Sequence, residues 1–317
     1  MKEILCIGEA LIDMICTDKG RSLSEGDHFL KKAGGAPTNV AAAIAALGGK
    51  AKLAAKVGND PFGHHLIEVM KNFGVDTAGV SQDPDHFTTF AFVSLMENGE
   101  RDFYFNRGAD KQLSWEEIET IGQRDTAIVH FGSATAFLPG PLQHAYKTYL
   151  EKALKDQRYI SFDPNYRNLL FGNDQASFIR QSWYFLEQCD FFKVSDEEAL
   201  LLTGAHSLDE AAAQFLKKTK AVFAVTLGKE GTLLGKEGAC VTIPSIAVKP
   251  VDTTGAGDAF VGAVLYQLSL QEPSALKTLS LEEWTKIISN GNKAGARTCE
   301  YLGAMEAFKH LSNTIFQ

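Results

Sequence analysis

The sequence predicts an α/β fold: a doubly wound, mostly parallel sheet flanked by helices, with a small β-sheet lid. Three observations predict it. Short apolar runs alternate with longer amphipathic stretches along the 317 residues. Two segments, 14–33 and 87–106, break that rhythm with strand-like patterning and no helix. Glycine clusters recur where an apolar run gives way to a helix.

Taken in order, the strand candidates are Ile4–Ile12, Ala51–Val57, Ala127–Phe131, Tyr159–Phe162, Phe191–Val194 and Val222–Thr226. Between them fall helical patterns at Asn39–Leu47, Phe62–Phe73, Pro141–Leu154, Gln175–Glu187 and Leu208–Lys217. Apolar strands followed by helices imply βαβ units and a covered parallel sheet. Segment 87–106 reads as a hairpin with Glu97-Asn98-Gly99-Glu100 at its turn, because Asn-Gly suits the tight turns that match strand twist. Strands without a covering helix cannot join a parallel core, so both segments are expected to form a lid over a site, or a dimer surface. With no linker, repeat or low-complexity tract, residues 1–317 are expected to form one domain with these lid segments inserted.

Composition excludes several classes. A chain that is 45% hydrophobic and 22% charged can bury a sizeable core and is not disordered. No apolar run reaches the roughly 18–20 residues of a membrane span, and no leader pattern opens the sequence, so no membrane partner and a cytoplasmic location are expected. The net charge of −8 argues against nucleic acid. It does not exclude a small anion, which backbone amides and a metal can hold. Five scattered cysteines without CxxC read as reduced thiols.

The strongest motif is Val251-Asp252-Thr253-Thr254-Gly255-Ala256-Gly257-Asp258, opening an apolar helix that runs to about Leu268. Two glycines let successive N–H groups converge, and the helix start adds positive potential, so the turn suits a phosphate or an oxyanion. Asp258 in the first turn could take a proton from an attacking hydroxyl, or could simply complement the helix start. Gly34-Gly35-Ala36-Pro37-Thr38-Asn39 opens a second helix, as a ligand-facing or merely tight turn; Asn39 offers a polyol both a donor and an acceptor. Asp13 follows the first strand, where open parallel sheets hold ligands. Arg167 follows Ser161-Phe162-Asp163-Pro164-Asn165-Tyr166, and Arg107 follows the hairpin; either could face the site or solvent.

Further on, Ser195 to Glu198 has the look of a capping box, with a water-mediated Mg²⁺ contact from Glu198 as the functional alternative. Thr226-Leu227-Gly228-Lys229-Glu230-Gly231 is either a hairpin turn or a close approach to a nucleotide. The sequence has no GxxxxGK[ST], no GxGxxG after the first strand, no HExxH and no GxSxG, so P-loop, dinucleotide, zinc-protease and serine-hydrolase signatures are missing. The lack of GxGxxG argues against an NAD-dependent dehydrogenase.

Together these motifs resemble the ribokinase-like (PfkB) carbohydrate kinase family over nearly the whole chain. Gly34-Gly35 with Asn39, Gly48 and Gly58 has the spacing of its N-terminal signature, and Asp252–Asp258 matches its C-terminal one without a gap. The resemblance implies Asp258 as catalytic base and the Gly255, Ala256 and Gly257 amides as anion hole. It implies Asp13, Gly35 and Asn39 at the sugar, and Lys193, Thr226, Gly228, Gly231 and Asn292 on the ATP side. Glu198 would hold Mg²⁺ through water, and Asp252 and Thr254 would ligate K⁺ where the enzyme uses it. Ser195 stands where the family often has Asn, which weakens the Mg²⁺ detail. Asp163–Arg167 and Phe105–Asp110 look most like bacterial fructokinases and 2-keto-3-deoxygluconate kinases, and Arg107 and Arg167 could greet either substrate. The expected function is phosphorylation of a ketohexose by ATP, D-fructose to fructose 6-phosphate, with a homodimer formed through the lid. The alternatives are 2-keto-3-deoxygluconate kinase, ribokinase, nucleoside kinase, or a non-catalytic sugar- or nucleotide-binding regulator.

Overall fold

The computed structural model describes residues 1–95, 101–122, 126–172 and 174–316. Its main sheet holds β1 (Glu3–Ile7), β4 (Lys50–Gly58), β5 (Asp76–Asp83), β8 (Thr126–Phe131), β9 (Tyr159–Phe162), β10 (Phe191–Ser195), β11 (Val222–Thr226), β12 (Thr232–Lys236) and β13 (Ala239–Ile243). The spatial order is β13-β12-β11-β10-β9-β8-β1-β4-β5, with all strands running one way except β12, which is antiparallel to both its neighbours β11 and β13. The second sheet, ordered β3-β2-β6-β7, contains β2 (Leu11–Cys16), β3 (Phe29–Gly34), β6 (Phe90–Leu95) and β7 (Arg101–Asn106). The expected turn residues Glu97–Glu100 lie outside the described residues.

Strand period explains the two helix layers. Ile4 and Cys6 of β1 point to one face and Leu5 and Ile7 to the other, all fully buried. On the first face they share a core with α1 (Ala36–Ala46), α2 (Pro61–Phe73), α3 (Ala256–Ser269) and α4 (Leu281–Thr298) through Val40, Ile44, Leu66, Val261 and Ile288. On the second, Val129 and Phe131 of β8 meet α5 (Pro141–Lys155) and α6 (Gln175–Leu186) through Tyr146, Leu150 and Phe185. There α7 (Asp196–Thr203) and α8 (Leu208–Lys218) add Ala199 and Phe215. Such two-faced burial makes the core strands read as continuous apolar runs.

One expectation is corrected by this. Ile4–Ile12 is two strands in different sheets, not one, because the chain turns at Gly8 with φ +145°. A Cβ at Gly8 would lie 2.5 Å from that of Ser133, so only glycine lets the chain pass. Asp13 therefore sits inside β2 of the lid, not at the end of β1. The lid's first part runs from Leu11 to Gly34, and α1 starts at Ala36 rather than Asn39, with Pro37 in its first turn. The chain leaves β1 toward β4 on one side and places β8 on the other, creating a switch point. The crevice beyond the carboxyl ends of β1 and β8 is where open α/β sheets bind ligands. Among the described residues no helix is long and apolar enough to cross a membrane, and all five cysteines are free.

Candidate active site

Two carboxylates converge above that crevice. Asp258 stands in the first turn of α3, where Gly255 caps the helix at φ +81°. The Asn39 side chain of α1 donates to Asp258 Oδ2 at 2.8 Å, joining residues 219 apart in the chain. The other amide atom, Asn39 Oδ1, is buried and has no hydrogen-bond partner among the described residues. Burial pushes the Asp258 carboxyl up to about 6; the Asn39 hydrogen bond, Arg167 and Lys193 pull it down, while Asp163 adds to the rise. Asp13 is pushed up to about 7 by burial, opposed by Arg167 and helped by the charges of Glu9 and Asp258. Its carboxylate occupies the space over Gly34, where a Cβ would collide with Oδ2.

The helix start is built for close approach. By helix geometry the first N–H groups of α3 have no intrahelical acceptor, although that of Ala256 turns back to Thr253 O at 3.2 Å. A Cβ on Gly255 would strike Ala304, and one on Gly257 would press on the Lys193 ammonium at 3.2 Å. Lys193 thus stands beside this turn, 9% exposed, paired with Asp163 at 3.2 Å. Burial opposes its charge, yet Asp163, Glu198 and Asp258 outweigh burial and hold its pKa above the ordinary lysine value.

Several expected site residues have internal partners. Glu198 does close the capping box: its Oε2 accepts from Ser195 N–H and its own N–H donates to Ser195 Oγ. Its Oε1 accepts from Tyr166 N–H at 2.7 Å, so Glu198 also tethers the loop carrying Arg167. Among the described residues no group of three or more His, Cys, Asp or Glu could hold a metal. Asp252 accepts from the N–H and O–H of Thr254 and from Gly303 N–H, bracing the loop before α3. Asn292 bonds to Thr232 Oγ1 and to the carbonyls of Ile243 and Pro244. Gly231, at φ +110°, packs against Ile243 O, and Gly228 opens a short 3-10 turn between β11 and β12, so the glycine pair does make a hairpin turn. Thr226 ends β11 and bonds to Val194 O.

The two arginines part company. Arg167 is exposed and acts electrostatically on both Asp13 and Asp258. Arg107 is locked: Nε donates to Asp110 at 3.1 Å, Nη1 to Pro139 O and Nη2 to Thr135 O. Sequence reasoning missed the network behind this. Asp110 and Glu9 are 1% exposed, and Ser133 and Thr135 bridge them. An acidic residue directly after a buried strand and a glycine was the available signal for Glu9.

A doubly wound sheet with a β lid over the carboxyl ends of its strands, and a glycine-rich helix start beside a carboxylate, is the form of a small-molecule kinase. Residues 1–310 match the pattern of the pfkB family carbohydrate kinase. Fructokinase-1 of Oryza sativa subsp. japonica is 38% identical over 308 residues, covering 95% of this chain and 93% of that protein. A fructokinase from Xylella fastidiosa solved with bound ATP superposes with a TM-score of 0.87 at 30% identity, covering 99% of this chain and 96% of that one. A fructokinase double mutant from Vibrio cholerae O395, solved in its fructose-, ADP- and potassium-bound form, gives 0.84 at 29% identity, covering 100% and 97%. The chain belongs to the PfkB family of carbohydrate kinases. It is an ATP-dependent carbohydrate kinase.

Proposed function

We propose that the enzyme transfers the γ-phosphoryl group of ATP, taken as its magnesium complex, to the 6-hydroxyl of D-fructose. The observation that carries this reading is the Asp258–Asn39 pair, with the buried, unpartnered Asn39 Oδ1 beside it. An orphaned acceptor is costly unless a ligand satisfies it, and a sugar hydroxyl is a donor of the right kind. Asn39, Gly35 and Asp13 hold the sugar, while Asp258 accepts the proton of the attacking hydroxyl. The free amides of the α3 start and the Lys193 ammonium stabilise charge developing on the phosphoryl group. Thr226, Gly228, Gly231 and Asn292 border the nucleotide, Asn292 by holding the end of β13. Closure of the lid excludes water, which would otherwise hydrolyse ATP.

Fructokinase names among the relatives support the sugar, and so does the electrostatics. A sugar acid would need a cation to meet its carboxylate. Arg107 is the counter-ion of buried Asp110, and the charge of the exposed Arg167 is opposed at longer range by Asp13 and Asp258. The sugar end is therefore acidic on balance and favours a neutral polyol over 2-keto-3-deoxygluconate. Glu198 keeps unused lone pairs that can accept from water on Mg²⁺. In the loop 252–254 the Asp252 carboxylate is committed to bracing, so K⁺ would be held there through carbonyl and hydroxyl oxygens. Mg-ATP with fructose, tagatose, ribose, nucleosides and 2-keto-3-deoxygluconate tests the reading, with the phosphate located on the product by NMR. Fructose should give the highest kcat/KM; a larger value for 2-keto-3-deoxygluconate would overturn the assignment.

A further inference from the structure

We propose that Glu9 is the positioning residue of the sugar site, fastening the turn that carries Gly35 and Asn39 to the loop after β8 and, through it, to the root of the lid. The proposal rests on the assignment of Gly35 and Asn39 to the sugar.

Glu9 occupies the break between β1 and β2 and is 1% exposed, too deep to touch substrate. Its Oε1 accepts from Ala36 N–H, the first residue of α1, at 3.0 Å, and from Ala134 N–H at 3.3 Å. Its Oε2 accepts a short hydrogen bond from Ser133 Oγ. The backbone of Glu9 grips the same turn: its carbonyl accepts from Thr38 Oγ1 at 2.9 Å and fills the space where a Gly35 Cβ would stand. Asn39 is three residues beyond Ala36, so fixing the first turn of α1 fixes the height and rotation of the Asn39 amide.

The other end of the network holds the lid. Thr135 Oγ1 donates to Asp110 at 2.8 Å and stands 3.5 Å from Glu9 Oε2. Asp110 also accepts from Thr89 Oγ1, just before β6, and from Arg107 Nε, just after β7. Ser133, Thr135, Thr89 and Asp110 are all at most 3% exposed. Three donors converge on the Glu9 carboxylate, and only an acceptor with two oxygens satisfies them. A glutamine would turn an N–H₂ group toward a donor and loosen the turn by one contact.

The charge of Glu9 gives a second signature. The charges acting on Asp13 are Arg167, Glu9 and Asp258, and that of Glu9 raises the Asp13 pKa. Burial, the largest effect, raises the pKa of Glu9 above the ordinary glutamate value, Asp110 adds to the rise, and the Ser133 and Ala36 donors hold it back. At pH values where Glu9 is ionised, making residue 9 neutral should therefore lower the pH at which Asp13 protonates.

The test is steady-state kinetics of the full-length enzyme carrying Glu9→Gln, with the preferred sugar and ATP varied separately from pH 5 to 9. The sugar KM is expected to rise about tenfold, the scale of one lost charge-assisted hydrogen bond. The ATP KM and the kcat at saturation should stay within about threefold, and the acid limb of kcat/KM for sugar should move to lower pH. Thr135→Val keeps the shape and removes the relay; it should raise the sugar KM without moving the acid limb, and it carries the test if Glu9→Gln does not fold. Unchanged sugar KM in the folded variants would overturn the proposal, as would equal losses in sugar KM, ATP KM and kcat. Wild-type enzyme that ignores fructose overturns the substrate assignment instead, and Glu9 is then measured against the sugar that is turned over.

Discussion

Asp258→Asn should slow phosphoryl transfer by orders of magnitude and at the same time stabilise the fold. Asp258 is raised from an ordinary 3.8 to about 6, chiefly by burial. At about 1.4 kcal/mol per unit, keeping it ionised at pH 7 costs at most about 3 kcal/mol. Because the group still reaches solvent and the neutral variant forfeits the charge-assisted bond from Asn39, about 1–2 kcal/mol is the reasonable gain. The folded state holds this proton more tightly than the unfolded one. Its stabilising contribution is thus fully present below about pH 3.8 and is lost as pH rises through about 6. The substituted asparagine stays neutral throughout, so its advantage should be absent near pH 4 and full above pH 7. Thermal unfolding of both proteins across that range would register a gain of a few degrees at the alkaline end. Coupled ADP-release assays should show kcat down by about 10²–10⁴, the usual worth of a general base. A variant with turnover within tenfold of wild type refutes the base; superimposable unfolding curves at every pH refute the burial argument.

Two further outcomes are expected. With Asp258 at about 6 and Asp13 at about 7, kcat/KM for the sugar should fall steadily as pH drops from 8 to 5, whereas ordinary carboxylates would keep it flat to about pH 4.5; a flat profile over that range would rule out the raised values. On the lid, Ile15 and Leu30 are cross-strand neighbours, 36% and 38% exposed, and we propose this apolar pair as the surface for a second copy of the chain. Sedimentation should therefore detect a dimer that Ile15→Lys dissociates, and a monomer for both proteins would dismiss this surface.

The sheet and lid were legible because they follow from period and punctuation. Buried strands of a parallel sheet give unbroken apolar runs, and the lid strands alternate without a helix between them. That same unbroken character hid the break at Gly8: Ile4–Ile12 is apolar enough for one strand, and only contact with Ser133, from a loop over a hundred residues away, forces the turn. The turns of the candidate site were legible where the backbone requires glycine, as at Gly35 and Gly255, both at positive φ. The site was illegible where a side chain's partner is remote in sequence. Arg107 reads equally as a ligand for a sugar acid or as a solvated residue until Asp110, Thr135 and Pro139 are seen to occupy its donors. Asn39 and Asp258 each suggest chemistry alone, but their contact, between residues far apart in the chain, is what the proposed reacting point rests on.

In the proposed assignment the charges of the site divide along the line of transfer. On the sugar side lie Asp13, Glu9 and Asp110, answered in part by Arg167 and the locked Arg107. On the phosphate side stand Lys193 and the amides at the start of α3. Asp258 lies at the boundary, its pKa raised by burial and by Asp163 and restrained by Asn39, Arg167 and Lys193. Under that proposal an acidic sugar end disfavours an anionic acceptor, while burial and Asp163 raise the basicity of the carboxylate proposed to take the proton. At the proposed phosphate end the α3 amides and the Lys193 ammonium, held by Asp163, would stabilise charge where it accumulates in transfer. A chain with net charge −8 can thus hold a polyphosphate without a surplus of lysine, because the positive potential is confined to one helix start and one ammonium group.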